Sequence, residues 1–167
     1  MKLGIHAYEW CSTWSNDTLD IIDTVKREGF DFLEIPLMRL DLFDPVAVKE
    51  RLEGFEITTS NVLLADDVDV TSFDPDVRKN GVKYLKECVE KSAKAGAKMF
   101  SGVIYSQYLK KAQKMPSEQE WEFSANAMKE VARYAAEWGV SIAFEPCTRY
   151  ETYLLNTSEQ ALRLLEM

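Results

Sequence analysis

The sequence is poor in cysteine and poorer still in histidine. Cys11, Cys88 and Cys147 share no metal-ligand spacing, and an odd cysteine count argues against a disulfide framework. A reducing cytoplasm is therefore the expected compartment. His6 is the single histidine. Long apolar runs are missing too: no segment approaches the length that crosses a bilayer, so no membrane partner is expected. The opening MKLGIHAYEW has neither a long apolar region nor a small-residue cleavage site, and no secretory leader is expected from it. Positive charge is in deficit. Twenty Lys and Arg stand against 28 Asp and Glu, and the net charge of −8 repels phosphate backbones, which excludes nucleic acid as a general partner.

What is present is globular. A chain of 167 residues with 46% hydrophobic and 11% aromatic content fits one domain, spanning 1–167, with a core of its own. Residues 2–7 read as a first strand, and Leu19, Ile22 and Val25 form a helical stripe over 18–28 that Gly29 closes. FDFLEIP follows as strand two. Asp44-Pro45 opens a helix to Glu53, an N-cap with proline at the first helical position, and FEITTSN is strand three. Asp74-Pro75 opens the next helix, to Ala95, and residues 98–103 are strand four. Ser117 and Glu120 form a capping box ahead of a long helix with Met128, Val131, Ala135 and Trp138 on one face. Strand five is residues 141–144, and Thr157 with Gln160 caps a last helix.

Gly29, Gly54, Gly96 and Gly139 each stand between a helical stripe and a strand, so one β-α-β unit recurs. Such alternation predicts a parallel sheet with right-handed crossovers. An open doubly wound sheet and a (β/α)8 barrel both fit. No strand is followed by a glycine-rich phosphate fingerprint, which counts against the first; five strands in a chain shorter than the roughly 250 residues of a complete barrel count against the second. In either fold ligands bind at the carboxyl ends of the strands. Strand five ends there on Glu145, followed by Pro146, which donates no ladder hydrogen bond. Glu151 follows in the connecting loop.

GIHAYEW, FDFLEI, SFDPDVRK and FEPCTRYETYLLNT, in that order, resemble the ketose 3-epimerases, the tagatose/psicose 3-epimerase group of the xylose-isomerase-like (β/α)8 superfamily. The strongest piece is residues 145–151, EPCTRYE. The resemblance implies an incomplete TIM barrel of about five parallel βα units. It also implies a sugar epimerase or isomerase that exchanges a proton at C3 through an enediolate. Glu145 matches the family's metal-binding glutamate, which is also one of two acid/base carboxylates. Glu151 matches a glutamate that holds the substrate near its carbonyl end, and Trp14, Val103, Tyr108, His6 and Asn61 fall where the family lines its sugar pocket. Thr148 stands where the motif usually has asparagine, and His6 and Asn61 are more polar than the residues common there; these departures bear on the substrate more than on the reaction type.

The implied cofactor is a divalent metal, Mn2+, Co2+ or Mg2+, in a complete barrel. The family's other ligands come from strands six to eight, where this chain has no residues, and one carboxylate cannot hold such an ion in defined geometry; the chain alone need not bind one. The expected partners are a small-molecule sugar and a second copy in a homo-oligomer. Alternatives are a hydroxypyruvate isomerase or inosose dehydratase relative, or a half-barrel without turnover; the −8 charge and the single histidine count against a DNA-repair nuclease. Bland readings stand beside these. His6 reads as a packed strand histidine, Glu34 as a support or a partner of a neighbouring strand, and residues 66–76 as a solvated acidic loop with Asp74 as a helix cap. Tyr84, Tyr134 and Trp138 read as packing of helices onto the barrel.

Overall fold

A computed structural model describes residues 1–110 and 114–167. Five strands, β1 (Gly4–His6), β2 (Phe32–Pro36), β3 (Glu56–Leu63), β4 (Met99–Gln107) and β5 (Ser141–Ile142), pair in parallel in the order β1-β2-β3-β4-β5. Helices α1 (Asp20–Glu28), α2 (Pro45–Leu52), α3 (Pro75–Ala95), α4 (Glu118–Glu137) and α5 (Ser158–Glu166) alternate with them. Sequential order with right-handed crossovers sets every crossover helix on one face of the sheet. The other face is the side that becomes a barrel interior. This sequential order removes the doubly wound alternative, whose strand order reverses about a switch point.

The helices begin where the sequence places acceptors for their first, unpartnered N–H groups. Asp44 accepts from Val46 and Ala47, Asp74 accepts from Asp76, and Ser117 and Thr157 each close a reciprocal capping box. Each such cap is worth about 1 kcal/mol. Gly29 and Gly96 end α1 and α3 in the left-handed conformation. The α2 end differs from expectation: Glu53 itself is left-handed at φ 49°, so the helix stops one residue early.

Register fixes which side chains point where. Thr59 bonds Ser92 on α3 at 2.6 Å, and Asn61 bonds Tyr84 on the same helix, so Ile57, Thr59, Asn61 and Leu63 face the helices. Thr58, Ser60 and Val62 therefore face the barrel side, and pairing carries that face to Glu34 and His6 in one direction and to Ser101 and Val103 in the other. The core lies on the helix side, where Leu33, Ile35, Val89 and Phe100 are fully buried.

β4 runs four residues beyond the expected 98–103. Gly102 carries it through at φ 117°, and a Cβ there would sit 2.2 Å from the carbonyl oxygen of Asn61. The pairing then skips from Val62↔Val103 to Leu63↔Gln107, a bulge that extends the strand. β5 is correspondingly short, because Pro146 follows so soon. Its ladder nonetheless runs on: Ala143 N–H donates to the Phe100 carbonyl at 3.0 Å and Glu145 N–H to the Gly102 carbonyl at 3.2 Å.

Candidate active site

Continuing the β5 alternation from Ser141, which pairs with Met99, places Glu145 on the barrel side, at the carboxyl end of its strand. Its backbone is pinned on both flanks, since its carbonyl also accepts from Tyr105 OH at 2.9 Å. Its carboxylate is exposed and makes no side-chain hydrogen bond or ion pair among the described residues. Glu151 is held the opposite way. Its Oε1 accepts from Tyr108 OH at 2.9 Å and its Oε2 from Thr148 Oγ1 at 2.9 Å. Those bonds, Thr148 first and Tyr108 second, hold its carboxyl below the usual glutamate range. A carboxylate kept ionised with lone pairs to spare is an acceptor for hydroxyl groups.

The two carboxylates share surroundings. Burial first, and then the charges of Glu145 and Glu151, push the Cys147 thiol up to about 11. Burial and the bond to Glu151 push Tyr108 up to about 12, with Glu145 contributing. A thiol held protonated is a poor nucleophile, and Cys147 packs against the core. The region can accept protons and hydroxyl hydrogen bonds.

Among the other expected site residues, His6 lies on the barrel side with Nε2 3.3 Å from Ser60 Oγ and 3.6 Å from Glu34 Oε1. Its Nδ1 accepts the Tyr8 N–H at 3.1 Å, which fixes the tautomer with hydrogen on Nε2. Glu34 is thus a partner of a neighbouring strand. Val103 is buried on the same face, where it offers an apolar wall. Trp14 is buried in the core at 2% exposure with its indole N–H unpartnered. Asn61 does not line the pocket. Its side chain crosses to the helix face, where the amide donates to the Leu37 carbonyl and to Tyr84 OH, because its place in the strand alternation is that of Thr59.

One further correction concerns what composition hides. Asp69 reads as part of a solvated acidic run, yet it is 3% exposed and pairs with Lys110 at 2.7 Å. Asp74 does cap α3, as expected. Tyr134 packs against the core, as expected, and also sets its OH on Glu90 of α3 at 2.5 Å. A groove of about 1030 Å³ between α3 and α4, lined by Arg78, Lys83, Phe123 and Tyr134, lies on the helix face; its Lys86 is paired with Glu130. The role of Thr148 in holding Glu151 had no sequence signal beyond its place in the 145–151 segment.

A defined divalent-ion site needs several oxygen or nitrogen ligands. Among the described residues no three His, Cys, Asp or Glu side chains converge to supply them. Glu145 is one donor without companions, so the residues present do not fit the metal by themselves.

Residues 22–167 match the xylose isomerase-like TIM barrel family, and the chain belongs to it. The chain is 36% identical over 168 residues to a ketose 3-epimerase of Arthrobacter globiformis, covering 99% of this chain and 58% of that protein. It is 28% identical over 168 residues to a D-psicose 3-epimerase of Ruminiclostridium cellulolyticum, covering 97% and 57%. The crystal structure of a D-allulose 3-epimerase from Methylomonas sp. with D-allulose superposes at a TM-score of 0.92 with 31% identity, over 99% of this chain and 58% of that one. The chain therefore spans a little under three fifths of the relatives it matches. Among the described residues no helix is long and apolar enough to cross a membrane.

Proposed function

We propose that this chain carries the Glu145 half of a ketose 3-epimerase site. The observation that carries the reading is the contrast between two glutamates at one strand end, Glu145 with a free carboxylate on the barrel side and Glu151 with a pinned one. Relatives named for ketose, psicose and allulose epimerisation support the substrate class.

The chemistry follows from the residue types. The C3 hydrogen of a ketose is acidified by the C2 carbonyl. A carboxylate in the position of Glu145 takes that proton and the bonding electrons pass to the carbonyl oxygen, giving an enediolate. Protonation of C3 from the opposite face inverts it, and no atom is gained or lost. Glu151, ionised and fixed, accepts hydroxyl hydrogen bonds and orients the sugar. The residues described do not make a complete metal site, and metal dependence rests on the family resemblance alone.

The test is solvent-deuterium exchange. D-Psicose, D-fructose and D-tagatose are incubated in D2O with Mn2+ and the chain, alone and fused to three further βα units of a ketose 3-epimerase. The expected result is no label with the 167 residues alone and label at C3 with the fusion. Label at C1 and none at C3 in the fusion would favour an aldose–ketose type of isomerisation and sink the proposal.

A further inference from the structure

Behind the site lies a cluster that the epimerase reading leaves unused. Lys110 Nζ is 2.7 Å from Asp69 Oδ2, 3.2 Å from Thr71 Oγ1 and 3.3 Å from Tyr153 OH. Three ammonium hydrogens thus meet three acceptors. Tyr153 OH in turn approaches Thr71 Oγ1 at 2.7 Å and Glu120 Oε1 at 3.0 Å, and Glu120 closes the capping box of α4 through Ser117. Asp69 and Thr71 belong to the connection after β3, Lys110 to that after β4, and Tyr153 to that after β5. One cation therefore joins three loops at the carboxyl side of the sheet. With Asp69 at 2.7 Å and Glu120 at 3.9 Å its charge is already matched, so it is no anion site.

The cluster is coupled to the site by short covalent steps. Leu109, beside Lys110, donates its N–H to the Glu151 carbonyl at 2.7 Å; Tyr108, one residue further back, bonds the Glu151 carboxylate; Ser106 meets Thr152 at 3.1 Å. Leu109 does this at φ 60°, a left-handed conformation that a leucine keeps only when its surroundings impose it. Lys110 supplies that constraint on one side and Glu151 on the other. Asp69 reaches the cluster because Gly81 on α3 lets residues 68–70 lie against the helix: a Cβ there would sit 2.3 Å from the Val68 carbonyl oxygen.

We propose that Lys110 is a positioning residue: held by Asp69 and Tyr153, it locks the loop after β4 to the loop after β5 and so sets Tyr108 and Glu151 to receive the hydroxyls of a ketose. What the lock serves rests on the epimerase reading; that it locks does not. The acidic partners are held ionised in keeping with this. Burial pushes Asp69 up, but bonds from Lys110 and Thr71 outweigh it and leave the carboxyl below its ordinary value.

The test compares Lys110→Met and Tyr153→Phe with the unsubstituted full chain by amide hydrogen exchange. Tyr153→Phe removes only a hydroxyl and guards against a methionine variant that does not fold. The expected result is exchange at the Leu109 amide faster by about tenfold or more in both, with the interior of β4 unchanged. Unchanged Leu109 exchange overturns the proposal, and so does a uniform rise along β4, which would make the cluster a general stabiliser. In the fused barrel, Lys110→Met is expected to raise KM for the ketose about tenfold with kcat within about threefold, since orientation and not proton transfer is lost; an unchanged KM overturns it. Absence of turnover in the unsubstituted fusion would remove the epimerase reading and leave the lock to the exchange data.

Discussion

The carboxyl side of the sheet has two regions whose polar groups are held by different means. Around β1–β3, His6, Glu34 and Ser60 are strand residues, and pairing alone brings them onto one face. Around β4–β5, Tyr108, Glu151 and Lys110 are loop residues, and only side-chain and backbone bonds spanning some 40 positions bring them together. The first region is placed by periodicity and inherits the rigidity of the sheet. The second is placed by a network of bonds between loops. Loop-borne groups on a rigid scaffold are where α/β proteins put substrate contacts, and Glu145 and Glu151, one free and one pinned, sit in the second region.

The largest effect is expected at Gly102, just before the bulge in β4. Gly102→Ala sets a Cβ 2.2 Å from the Asn61 carbonyl oxygen at a φ of 117°. Strained backbone and overpacking together are expected to cost about 3 kcal/mol or more, a fall in Tm of roughly 10 °C. Thermal unfolding followed by circular dichroism measures it. A stability unchanged within about 0.5 kcal/mol would show that β4 does not need the left-handed residue.

Gly81→Ala sharpens the difference between ordinary helix behaviour and this helix. Inside a helix, Gly→Ala normally stabilises by about 1 kcal/mol. Here the added methyl would meet the Val68 carbonyl oxygen at 2.3 Å, so the sign reverses: a loss of about 1–2 kcal/mol is expected, confined to the network region. A stabilised variant would contradict the close approach.

The smallest of these effects is on pH dependence. Asp69 is held below its ordinary carboxyl value of 3.8, so its contribution is complete above that value and fades as pH falls through the lower folded value. The Tm difference between the unsubstituted chain and Asp69→Asn should shrink between about pH 5 and pH 3. A difference that grows toward acid would have the wrong sign for an ion pair.

The same comparison explains what was legible in the sequence. Asp44, Asp74, Ser117 and Thr157 act as caps because a cap is a contact between residues at most three apart, and the strand order follows from the alternation of elements. Asn61 was misplaced because FEITTSN is polar on both faces, and nothing local says which of Ser60 and Asn61 turns toward the helices. The extent of β4 was hidden by a single left-handed glycine. Asp69 looked solvated because its partner lies 41 residues away, beyond any local pattern. Glu145 was legible since a proline marks the end of its strand, whereas the bonds that hold Glu151 were not.

Glu145 is proposed to move the C3 proton while Glu151 only holds the sugar, and Glu145→Gln in the fused barrel tests this most directly. Deuterium incorporation at C3 of D-psicose is measured for the fusion, for Glu145→Gln and for Glu151→Gln. A loss of about 10²–10⁴-fold in the exchange rate at saturating sugar is expected for Glu145→Gln. For Glu151→Gln a raised KM is expected, with exchange largely recovered at saturation. Exchange that survives Glu145→Gln at the unsubstituted rate would contradict the proposal.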